Sequence, residues 1–111
     1  MGALIVNGQK IATDKDGFLK NLEDWSPEVA SALAEDSAIS LTEQHWELIQ
    51  LVQSYYKQFG LSPAMRPLIK YAKLEFGSDK GNSLYFLTLF PGSPAKILSK
   101  VAGLPRPDNC L

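Results

Sequence analysis

The sequence predicts a mainly α fold of the α+β class: an N-terminal β-hairpin, an orthogonal bundle of about five helices, and a flexible C-terminal arm. Three observations carry this expectation. Asn7-Gly8 stands between the apolar run Leu4 to Val6 and Ile11, a strong local signal for a hairpin. Ser-Pro recurs at Ser26-Pro27, Ser62-Pro63 and Ser93-Pro94, each time offering an N-cap hydroxyl followed by proline at the first helical position. Gly60, Gly77 and Gly103 stand where helix C-termini favour a left-handed residue.

Taken in order, residues 3–19 read as β-structure, with Asp16-Gly17 marking a second turn. The stretch from Thr13 to Gly17 has a faint calcium-loop look, but the later ligands and the closing glutamate are missing, so a turn is the better reading. Helices are expected near 27–36, 42–59, 63–76, 80–90 and 94–102. The second opens on a capping-box pattern, Ser40-Leu41-Thr42-Glu43, and then carries Leu48, Val52, Tyr55 and Phe59 on one face. Pro67 should kink or shorten the first turn of the third helix. After Gly103 the periodicity stops. Pro105, Pro107 and the Asp108-Asn109 pair predict an extended, mobile arm over residues 104–111 with little to bury, following a single domain over residues 1–103.

Composition narrows the function classes. The chain has 111 residues, 45% hydrophobic and 21% charged, which is ordinary for a globular domain with a modest core. No apolar run is long enough to span a bilayer, and the N-terminus lacks a secretory or myristoylation pattern. A lone cysteine cannot form an internal disulfide, and the expectation is a cytoplasmic protein. The net charge of -1 hides a polarity. Residues 1–56 set nine carboxylates against three lysines, whereas residues 57–111 set eight basic residues against three carboxylates. Lys96 and Lys100, close to the arm, are candidates for steering an anionic partner.

Most candidate sites have a plain structural reading. His45 is the only histidine and stands at a helix start, where packing or capping is favoured over catalysis. Without a second histidine or a cysteine cluster, no metal site is expected, and no cofactor motif appears. Glu43 and Glu47, four apart, suggest a solvated face, and the glycines and lysine of residues 76–83 suggest a turn rather than a phosphate loop. The second and third helices also have the layout of a helix-turn-helix, with Arg66, Lys70 and Lys73 available to phosphates. A pI near 5.7 weighs against a nucleic-acid-binding module.

Cys110 is different. A free cysteine is usually buried, and this one is carried on a tether, penultimate in the chain. Asp108 and the carboxylate of Leu111 flank it and disfavour its ionisation, so the free thiol should be a slow nucleophile until a partner receives it.

The segments at residues 39–52, 62–70, 80–96 and 101–111, above all the ending Val101 to Leu111, closely resemble the DsrC/TusE family. The resemblance covers nearly the whole chain and is nearest to the TusE-like branch. Members that serve dissimilatory sulfite reductase carry a second cysteine eleven residues before the penultimate one, and here that position is Ser99. The resemblance therefore implies a sulfur carrier without cofactor or metal, a sulfurtransferase whose acceptor is Cys110. It implies a TusBCD-like complex as donor and an MnmA-like tRNA 2-thiouridylase, with its tRNA, as acceptor, for 2-thiolation of a wobble uridine. A DsrC-like regulatory or sulfite-reductase-associated protein is the alternative.

Overall fold

The computed structural model describes residues 2–107 and consists of a two-stranded antiparallel sheet followed by five α-helices. Strands β1 (Gly2–Val6) and β2 (Gln9–Thr13) pair with Val6 opposite Gln9 and Leu4 opposite Ile11. The connecting Asn7 and Gly8 have φ of 52° and 78°, the two consecutive positive values that a tight type I′ hairpin demands. Alternation then decides the faces. Ile11 and Thr13 are buried with Leu4 and Val6 half-covered beside them, while Ile5 points to solvent. Asp14 closes the next turn by accepting the Asp16 and Phe18 amide protons at 2.9 and 3.0 Å, which spends its carboxylate on backbone. Phe18 and Leu19 drop into the core directly afterwards. A 3-10 turn over Leu22–Asp24, absent from the sequence expectation, leads to the first helix.

Helix α1 (Pro27–Asp36) begins as expected, with Ser26 Oγ accepting the Val29 amide at 3.2 Å and Pro27 at the first position. Val29, Ala30, Leu33 and Ala34 form its buried stripe. It ends on Ala38 at φ 59°, with the Ile39 amide returning to Ala34 O at 2.9 Å. That is a Schellman end built on alanine, so no glycine announced it.

Helix α2 (Glu43–Phe59) places Leu48, Ile49, Leu51 and Val52 in the core. Its apolar face runs out of the core toward the C-terminal end. Tyr55 and Phe59 instead cluster with Tyr71 at ring separations of 4.5, 5.2 and 6.3 Å, and Phe59 is half-exposed. The N-terminal box uses Thr42 and His45 rather than Ser40 and Glu43, because helix α2 starts at Glu43, which makes His45 its third residue.

Helix α3 (Met65–Phe76) starts later than the Ser62-Pro63 pair predicts, with Ala64 as N-cap. Pro67 is then the third helical residue, where its missing amide proton costs nothing. Helix α4 (Ser83–Leu89) is also shorter than expected, since Asn82 caps it by accepting the Tyr85 amide at 2.9 Å. The preceding loop lies hard against α3: a Cβ on Gly81 would stand 2.3 Å from Lys73 Cα. Lys80 in that loop donates to Glu47 at 2.7 Å, and this bond holds its ammonium above the usual lysine pKa. Glu47 is therefore half-buried and paired, not part of a free solvated face.

Helix α5 (Pro94–Val101) packs against α1, α2, α3 and α4, and buries Ala95, Leu98, Ser99 and Val101. Because the last helix occupies the centre, the chain that leaves it emerges where several elements converge.

Candidate functional site: the root of the C-terminal arm

The departure from α5 is fixed by a Schellman end. The Gly103 amide donates to Lys100 O at 3.1 Å and the Leu104 amide to Ser99 O at 2.9 Å, with Gly103 at φ 76°. Leu104 buries its side chain beside this turn. Glycine is needed twice over, since a Cβ at this position would also meet Trp25 Cδ1 at 2.3 Å.

The exposed carbonyls of the last helical turn are then met by side chains from elsewhere. Trp25 Nε1 donates to Val101 O at 2.9 Å and Gln53 Nε2 to Ala102 O at 3.0 Å. One residue past Leu104, Ser62 Oγ donates to Pro105 O at 2.6 Å. The expected cap hydroxyl of α3 is thus used to hold the arm. Arg106 forms an ion pair with Asp16 and lies over the Phe18 ring, 5.8 Å from its centroid. Pro107 is fully buried.

These contacts correct the expectation that the whole of residues 104–111 has little to bury. Leu104 and Pro107 join the body, because prolines and a leucine supply apolar surface and the free carbonyls find donors on neighbouring loops. Cys110, the predicted sulfur acceptor, lies outside the described residues. Counted along the chain, Cys110 stands three residues beyond Pro107, a reach of at most about 10 Å at roughly 3.3 Å each, against about 23 Å for residues 104–110.

The other candidates fall into place around this root or away from it. His45 is buried and structural: its Nδ1 accepts the Thr42 amide at 3.0 Å, its Nε2 meets Leu89 O at 2.8 Å, and its ring packs edge-on against Phe90. A backbone amide can only donate, so Nδ1 is the acceptor and Nε2 carries the proton. Lys100 is spent on the body, donating to Ser37 Oγ at 2.8 Å and lying over Gly17. Lys96 is half-buried in the cleft that also involves Asp16 and Lys100. Arg66, Lys70 and Lys73 are exposed along α3, which begins just after Ser62. Trp25, Gln53, Ser62 and Asp16 escaped sequence reasoning, and no local pattern could have named them. Their role depends on partners 43 to 76 residues away for the three hydrogen bonds.

The profile described as "DsrC like protein" matches residues 5–111. The chain belongs to the DsrC family. Among family members, the chain is 47% identical to a protein of Photorhabdus laumondii named Sulfurtransferase TusE over 108 residues, 97% of each chain. It is 45% identical to Sulfurtransferase TusE of Escherichia coli K12, covering 97% of this chain and 99% of that one. The fold agrees with family structures. DsrC of Allochromatium vinosum superposes with a TM-score of 0.87 at 41% identity, covering 98% of this chain and 97% of the other. The oxidized gamma-subunit of the dissimilatory sulfite reductase (DsrC) from Archaeoglobus fulgidus gives 0.85 at 42% identity, covering 99% and 100%.

Proposed function

We propose that this chain is a sulfur carrier that accepts sulfane sulfur on Cys110 from a TusBCD-like complex. It passes that sulfur to an MnmA-like tRNA 2-thiouridylase for 2-thiolation of a wobble uridine. The observation that carries this reading is near-complete alignment, at 45 to 47% identity, with two proteins named Sulfurtransferase TusE. It is supported by the position of the chain's one thiol, three residues beyond an anchored Pro107.

The chemistry is two successive thiolate displacements. In the first, the Cys110 thiolate attacks the outer sulfur of the donor's persulfide. The new S–S bond makes Cys110 a persulfide, and the donor's cysteine leaves as a thiolate. In the second, an acceptor thiolate attacks the outer sulfur on Cys110, which leaves as a thiolate and is ready for another cycle. Sulfur changes hands with no net oxidation, so no electron carrier is needed. The body's part is positional: it holds Leu104 to Pro107, three residues before the thiol.

A regulatory or sulfite-reductase-associated role is the second reading, favoured by the superposition on the Archaeoglobus subunit. Ser99 weighs against it, because the resemblance places a second cysteine there in chains that serve that reductase. Intact mass measurement after incubation with the donor complex tests the carrier reading. The expected result is one added sulfur, removed by reductant and lost on mixing with the acceptor. A chain that never gains sulfur, or gains it and cannot pass it on, overturns the carrier reading.

A further inference from the structure

Helices α3 and α4 leave three leucines uncovered. Leu74 is 75% exposed, Leu84 74% and Leu87 42%. A shallow groove between the two helices is lined by Met65 and Ile69, with Arg66, Lys70 and Lys73 beside them and Ser83 across from them. Arg66, Lys70 and Lys73 follow the i, i+4, i+7 rhythm, so their side chains form one stripe along α3. Glu75 falls off that stripe, and the two ion pairs found among the described residues involve none of the three cations. An apolar groove floored by Met65 and Ile69 and edged by a row of unspent positive charge is the complement of an amphipathic helix with acidic residues beside its apolar face. A nucleic-acid backbone would satisfy the charges and leave the leucines in water, so a protein fits better than RNA.

The placement gives the face a purpose. Ser62, which holds Pro105, lies three residues before α3 begins, so the groove starts at the root of the arm. Cys110 stands three residues beyond the buried Pro107, a reach of at most about 10 Å, so a partner must bind close by to be reached. Two other basic groups near the root are engaged: Arg106 with Asp16, and Lys100 with Ser37. We infer that the α3–α4 face docks an acidic amphipathic helix of one protein partner of the relay, holding that partner's reactive sulfur within reach of Cys110. This rests on the carrier reading and adds the surface that serves it.

The test uses the full-length chain and two charge or apolar variants, Lys70→Glu/Lys73→Glu and Leu84→Ser/Leu87→Ser, all at exposed positions. Affinity is measured separately for the purified donor complex, the purified acceptor enzyme and tRNA alone, over a range of salt. The expected result is about tenfold weaker binding of one of the two proteins by both variants, with a flatter salt dependence only in the lysine variant. Unchanged affinity for both proteins would overturn the inference. So would loss in the lysine variant alone with a parallel loss of tRNA binding, which would make the face a nucleic-acid surface. Loading of Cys110 by inorganic polysulfide keeps the two ideas apart: the Cys110 thiolate takes one sulfur and a polysulfide one atom shorter leaves. Both variants should load like the parent chain. A parent chain that fails to load overturns the carrier reading, and the docking face is then judged on the affinities.

Discussion

The N-terminal hairpin and the root of the arm are both short segments laid against the helices, and they are held in opposite ways. The hairpin is closed by its own turn, Asn7 and Gly8, and its strands pair with each other. The arm root, beyond its Schellman turn, is bonded by groups far away in sequence. It depends on Trp25, Gln53, Ser62 and Asp16, drawn from the loops before α1, from α2 and from the loop before α3. A hairpin of this kind forms early and locally, whereas the arm root exists only when the helices are already assembled. The position of the chain at Pro107 is therefore a property of the whole fold.

The largest effect should come from the thiol itself. Cys110→Ser should abolish sulfur transfer while leaving the melting temperature within about a degree or two, on the order expected for a conservative exchange of sulfur for oxygen. Transfer followed by intact mass, beside a thermal melt, checks both halves; residual transfer at the parent rate would mean that another group carries the sulfur.

The same substitution in the two regions sharpens the contrast. Gly103→Ala forces a Cβ into the Trp25 ring and a side chain into positive φ, and should cost about 2–4 kcal/mol. At Gly8, where φ is also positive but nothing lies within 4 Å of a Cβ, alanine should cost only about 1 kcal/mol. Denaturant midpoints measure the difference. Equal losses would show that the packing of Trp25 over Gly103 contributes little.

Ser62→Ala removes the donor to Pro105 O and should cost about 1 kcal/mol. Its more specific signature should be faster proteolysis or hydrogen exchange confined to the arm root, with the hairpin unchanged. Loosening of both segments together would contradict the separation drawn between them.

The smallest effect should be that of Asp16→Asn. Arg106 is 43% exposed at its side chain and Asp16 28%, so their pair contributes well under about 1 kcal/mol to stability. Even so, the variant should raise arm mobility at low salt, and the difference from the parent should shrink at high salt as screening weakens the pair in both. A salt-independent difference would assign the anchoring to Phe18 and Pro107 instead.

How much of this was legible beforehand varies by element. The hairpin, Ser26 capping of α1 and the body of α2 follow from patterns spanning a few residues, and the structure has them. Helices α3 and α4 start later than the sequence predicts because Ser62 donates to Pro105 O rather than capping α3, and Asn82 caps α4. A serine hydroxyl has one proton to donate, and the sequence around it does not say which acceptor will claim it. At the candidate site, the penultimate thiol was visible at once, while its mount was not.

The sequence by itself determined the order of elements, the type I′ turn at Asn7-Gly8, the single thiol and its place at the penultimate position. Those depend on backbone preference and residue identity, which act over a few positions. Only the tertiary structure decided that the arm is anchored as far as Pro107, that Lys100 is spent on Ser37, and that Arg66, Lys70 and Lys73 stay exposed beside uncovered leucines. Those outcomes turn on which donors, acceptors and apolar surfaces meet once α5 occupies the centre of the bundle. Such meetings are settled by packing across the whole chain, because each group is satisfied by whatever the assembled fold brings within a hydrogen bond or a van der Waals contact of it.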